Sequence, residues 1–181
     1  YNENEEEINI IEVKATTNSK YTDAKAGLFF SDKRGGTKYP LFVKEGNIWR
    51  LNALASTKTD YAAKNYEAKK GLLLDRYSNY GKYPHDLAFQ RYVIEHALRK
   101  AGDNRPVNFY LAVLNSEYAF DGTRDANGDC VYNEIGGQEL ITFLDMNEIT
   151  LAYQTFILKE IAMLESYIAK PNPVNTKVTV G

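Results

Sequence analysis

Residues 106–115, PVNFYLAVLN, place apolar side chains at both odd and even positions. A helix of ten residues would need a polar side. A strand that is apolar on both faces needs sheet neighbours and cover above and below. The segment therefore predicts a central, doubly covered strand, and the rest of the chain has to supply that cover. The C-terminal third supplies one layer. Asp145 and Glu148 have capping-box spacing, and Ile149, Tyr153, Phe156, Ile157, Ile161, Leu164 and Ile168 recur as an apolar stripe up to Pro171. A helix over 146–169 is expected, about 35 Å long at about 1.5 Å per residue.

The N-terminal segment has a different texture. INIIEVKATT at 8–17, AKAGLFFSD at 24–32, TKYPLFVK at 37–44 and IWRLNAL at 48–54 read as strands, separated by turns at KRGG and EGN. Glycine supplies the left-handed backbone such turns use. Pro40 cannot donate to a ladder, which puts its strand at an edge. An antiparallel meander over the first 55 residues follows. Thr59 or Asp60 then caps a helix ending near Gly71. Asp86 is placed to cap a second helix that Gly102 stops, with Phe89, Tyr92, Val93, His96 and Ala97 on one face. The fold class is α+β: an N-terminal antiparallel meander, central helices, a buried central strand and a long C-terminal amphipathic helix. A length of 181 residues suits one domain, expected over 1–170, with 171–181 as a tail.

Charge is unevenly spread. Residues 1–12 carry −5. Residues 13–100 carry 17 Lys/Arg against 8 Asp/Glu, or +9, and residues 101–181 carry −6. Such asymmetry points to a polyanion-binding face unless folding interleaves the segments. Lys33, Arg34 and Lys38 surround a Gly-Gly turn, where a backbone can approach a phosphate closely. Lys58, Lys64, Lys69, Lys70, Arg76 and Lys82 alternate with Tyr61, Tyr66, Tyr77, Tyr80 and Tyr83. Cations interleaved with aromatics are the composition of a single-strand stacking platform. The plainer alternative is solvated lysines and tyrosines rimming the core. The expected function is non-enzymatic nucleic-acid binding through Lys33, Arg34, Lys38, Lys58, Lys64, Lys69, Lys70, Arg76, Tyr77, Tyr80 and Lys82. The alternative from another class is a protein-binding module, or an inhibitor acting on a nucleic-acid-handling complex.

Catalytic and metal chemistry has less to stand on. DGTRDANGDCVYNEI at 121–135 offers oxygens at Asp125, Asn127, Asp129 and Asn133, the 1, 3, 5, 9 spacing of a calcium loop. Cys130 then stands where the loop needs glycine, and Gly136 where it needs an acid. Asn127-Gly128 is a strong hairpin signal, and a hairpin tip is the expectation. Glu12-x-Lys14 on a strand resembles the carboxylate and lysine of PD-(D/E)xK nucleases, which would imply metal-dependent phosphodiester cleavage through those two residues. That signature also needs an acid on a neighbouring upstream strand, and only seven residues precede this one. Cys130, the single cysteine, has Asp129 beside it rather than a base, which disfavours a thiolate. His96 on the second helix reads as a core histidine and His85 as a capping-region residue. No catalytic residue, metal or cofactor is expected.

No apolar run approaches the roughly 18 residues of a membrane span, so no membrane partner is expected. The opening YNENEEE has neither a basic region nor an apolar one, so it does not read as a signal peptide. A cytoplasmic location is expected. A secreted surface protein stays open, because a signal removed earlier would leave no trace and high tyrosine and asparagine with one cysteine fits that setting.

Overall fold

The computed structural model describes residues 2–3, 6–53 and 59–169. Lys58 and the 171–181 tail lie outside the described residues. Six strands form one mixed sheet: β1 (Asn2–Glu3), β2 (Ile8–Thr17), β5 (Phe42–Glu45), β6 (Ile48–Leu51), β7 (Val107–Leu114) and β8 (Ile141–Asp145). Their spatial order is β1-β2-β7-β8-β6-β5, and a separate two-stranded ribbon joins β3 (Phe29–Ser31) to β4 (Lys38–Pro40). The helices are α1 (Ser19–Thr22), α2 (Asp60–Gly71), α3 (Lys82–Ala101) and α4 (Asn147–Ile168). The fold is α+β.

The strand segments of the first 55 residues exist, but they do not run as a meander. Consecutive strands pair antiparallel in β1–β2, β3–β4 and β5–β6, but β2 does not pair with β3 nor β4 with β5. The first long strand leaves them: β2 pairs in parallel with β7, from Ile8 opposite Val107 to Val13 opposite Ala112. The reason is burial. Ile8 and Ile10 are 1% and 7% exposed and meet Phe109, Leu111 and Val113 in the common core, which an edge position beside β3 would not offer.

The central position of β7 holds, flanked by β2 and β8. Cover on both faces does not. Phe109, Leu111 and Val113 are buried toward the layer that holds α3 and α4. The opposite face is only half covered along Ile11, Tyr110, Phe143 and Ile48, and is open at Val13, 69% exposed. Amphiphilic Asn108 and Tyr110 tolerate that wet face, which is why an apolar run there does not demand a second layer.

Helix ends follow local chemistry, with two departures. Thr59 caps α2, its hydroxyl accepting from the Ala62 amide at 3.3 Å, and α3 ends at Gly102 with φ 75°. However, α3 starts at Lys82, four residues before Asp86, because Pro84 needs no donor in a first turn. Asp86 instead pairs with Lys14 at 3.5 Å. The Asp145–Glu148 capping box does not form either. Asp145 accepts from the Asn147 amide and from Arg50, while Glu148 binds Lys70. The buried stripe of α4 is Ile149, Tyr153 and Ile157. Phe156, Leu164 and Ile168, read as part of that stripe, are 51%, 53% and 77% exposed. On α3 the buried positions are Pro84, Leu87 and Ala88, whereas Phe89 and Val93 are about half exposed and His96 is exposed beside Tyr92.

Candidate functional site

Two adjoining clefts gather cations and tyrosines from four parts of the chain. The first, about 360 Å³, lies between the β3 backbone and α2. It is lined by Lys25, Lys38 and Lys69, by Asn65, and by Tyr80 at its rim. Asn65 Oδ1 accepts from the Ser31 amide at 2.8 Å, which locks the strand to the helix. Lys25 is carried by a loop that Asp23 holds closed, its Oδ1 accepting from the amides of Lys25 and Ala26 at 2.8 Å each. The second cleft, about 460 Å³, is lined by Lys20, Arg76, Tyr77, Tyr80, Lys82 and Tyr83. Both volumes are in the range of small-ligand sites. Tyr80 borders both.

The wall between residues 75 and 81 is rigid for a backbone reason. Ser78 Oγ donates to the Leu72 carbonyl at 2.6 Å and accepts from the amides of Tyr80 and Gly81 at 3.1 and 2.9 Å. A Cβ on Gly81 would fall 2.1 Å from the Asp75 carbonyl oxygen, so only glycine fits there. Lys20 is anchored on this wall. Its Nζ donates to the Asn79 carbonyl at 2.6 Å and stands 4.4 Å from the Tyr83 ring centre and 4.9 Å from that of Tyr21. Burial, then the neighbouring charge of Lys82, pulls the Lys20 amine below its ordinary value. Burial pushes the Tyr21 phenol up, and its hydroxyl donates to the Tyr80 carbonyl at 3.2 Å.

Among the described residues, Lys20, Lys25, Lys38, Lys69 and Lys82 form no ion pair. The remaining sequence-selected residues divide. Arg76 lines the second cleft but is held by Glu160 and stacks at 4.8 Å on Tyr77, whose ring is 77% exposed. Lys70 is turned away into contacts with Glu67 and Glu148, 3.0 Å each, at a different depression. Lys33 and Arg34 are exposed at the β3–β4 turn and Lys64 is exposed on α2; none of the three lines either cleft. Lys58 is outside the described residues. Lys20 and Lys25 escaped sequence selection. Their SKYTDAK context has the same cation and tyrosine mix as 58–82, which is the signal that could have found them.

Other candidate chemistry resolves into pairs and turns. Glu12 is engaged at both oxygens, by Lys14 at 2.7 Å and by the Gln90 amide at 2.8 Å. Burial raises the Glu12 carboxyl, but those two partners outweigh it and hold the group below its ordinary value. The 121–135 segment closes as a small hairpin at Arg124 and Cys130. Asp125 Oδ1 accepts from the amides of Asn127 and Asp129, and Gly128 takes a left-handed φ of 89°. Among the described residues no group of three or more His, Cys, Asp or Glu is placed to hold a metal ion. None of the described helices is long and apolar enough to cross a membrane. No family model matches the chain, and no curated protein or solved structure is significantly similar to it.

Proposed function

We propose that this protein binds single-stranded nucleic acid in the paired clefts. The observation that supports this most is five lysines without ion pairs, Lys20, Lys25, Lys38, Lys69 and Lys82, lining two clefts that share Tyr80. Cations release counterions when they meet phosphates, and exposed tyrosine rings such as Tyr77 stack on bases of any sequence. Glu160 is engaged by Arg76 and His85 and Asp86 by Lys14, while the Asp23 and Asp75 carboxylates accept from backbone amides, so none of these four forms an ion pair with the five lysines. The cations that line the two clefts are thus a local concentration of positive side chains on a chain that carries −2 overall.

The test compares two sets of substitutions on labelled single-stranded DNA, RNA and duplex probes. Replacing Lys38 and Lys69 by glutamine should weaken single-strand binding more than tenfold, by roughly 1.4 kcal/mol or more. Replacing Lys33, Arg34 and Lys64 should change it by less than about threefold, because distant exposed charges are screened. The opposite order would move the interface to the hairpin tip. A wild type that binds no probe at low salt would end the reading. A second reading, a protein-binding module, is favoured by the half-covered sheet face at Ile11, Val13, Tyr110 and Phe143. Under it, Val13→Lys would abolish partner capture and leave probe binding intact.

A further inference from the structure

We infer that the second cleft, between Lys20, Lys82 and Tyr83, receives a terminal phosphate monoester, so that the protein holds strand ends; this rests on the single-strand reading above. The two halves of the site differ in how they concentrate charge. In the first cleft Lys25, Lys38 and Lys69 come from a loop, a strand and a helix and suit a run of singly charged diesters. In the second, Lys20 is fixed by Asn79 and two aromatic rings, and Lys82 is close enough to act on its charge. Neither has a carboxylate partner among the described residues. A partly buried cation with a second cation on the same cleft is unfavourable when empty, and a ligand with two negative charges relieves it more than a ligand with one. A phosphate monoester carries about −1.5 to −2 at pH 7, whereas an internal diester carries one charge.

The backbone adds to the same preference. The 20-residue helix α3 begins at this wall, with Gly81 as a cap that offers no side chain. Pro84 has no amide to satisfy, and the His85 amide donates to the Gly81 carbonyl. The dipole at the N-terminus of this helix favours an anion beside the lysine pair. The exposed Tyr77 ring lies on the same cleft, where the terminal base can stack.

The experiment measures anisotropy of the full chain with one single-stranded sequence in three forms: 5′-phosphorylated, 3′-phosphorylated, and without a terminal phosphate. One phosphorylated form should bind about tenfold tighter than the plain strand, and which one identifies the end. Lys20→Gln, and separately Lys82→Gln, should bring that ratio to about one. Lys69→Gln should weaken all three forms and keep the ratio. Circular dichroism melts confirm that each variant is folded. Equal binding of the three forms overturns the inference and leaves single-strand binding standing. A ratio that survives both Lys20→Gln and Lys82→Gln also overturns it, since the end would then be held elsewhere. Failure of every form to bind removes the underlying reading and the inference together.

Discussion

Ile157 and Phe156 are neighbours on α4, yet the first is fully buried and the second 51% exposed. Truncating each to alanine therefore measures the rotation of the helix on the sheet. Ile157→Ala removes three carbons from the core, about 2.4 kcal/mol at about 0.8 per methylene. The cavity left beneath α4 in the core raises this to about 3–4 kcal/mol. Phe156→Ala loses roughly half the transfer energy of a phenyl ring, about 1 kcal/mol, and regains about 0.5 from the better helix propensity of alanine. Urea unfolding followed by the single tryptophan, Trp49, which packs against the core, reads both losses. At about 2–4 °C per kcal/mol, Ile157→Ala should lower Tm by about 6–16 °C and Phe156→Ala by less than about 4 °C. Equal losses, or the reverse order, would refute the assignment of the Ile149–Tyr153–Ile157 face to the core.

Three further outcomes follow from particular contacts. Gly81→Ala drives a Cβ into the Asp75 carbonyl at 2.1 Å and should destabilise by about 2–4 kcal/mol, and an unchanged Tm would mean the 75–81 wall is not closed. Millimolar calcium should leave Tm unchanged, because Asp125 Oδ1 already accepts two backbone amides; a rise of several degrees would show a cation bound to the native state. Glu12 has its folded-state carboxyl below the ordinary value, so it stabilises the fold above the ordinary carboxylate range and loses that contribution as pH falls through the lower, folded value. Glu12→Gln should flatten the acid side of the stability profile, and an acid limb that superimposes on the wild type would contradict the pairing with Lys14 and Gln90.

What the sequence made legible was local. Thr59 and Gly71 bound α2, Gly102 ends α3, and EGN turns β5 into β6, because each depends on a few adjacent residues. The parallel pairing of β2 with β7 was not legible, since it joins segments about 100 residues apart and depends on which strand buries Ile8 and Ile10. The phase of α4 was not legible either. Leu151, Phe156, Leu158, Met163 and Leu164 make that helix apolar on nearly every side, so periodicity cannot choose the buried one. In the candidate site, Lys69, Arg76, Tyr77, Tyr80 and Lys82 fall in one continuous stretch and stood out. Lys20 joins them only through its contact with Asn79, 59 residues away, and Lys70 leaves them for Glu67 and Glu148. Spacing alone reveals neither event.

The central claim is that the unpaired cleft lysines meet phosphates, and the most direct measurement is the salt dependence of single-strand affinity. With four to five phosphate contacts, log affinity against log salt should fall with a slope of about −3, at about −0.7 per contact. Replacing Lys25, Lys38 and Lys69 by glutamine should flatten that slope by about two units. A wild-type slope near zero, or a slope that the triple variant leaves unchanged, would contradict the assignment of these clefts to a polyanion.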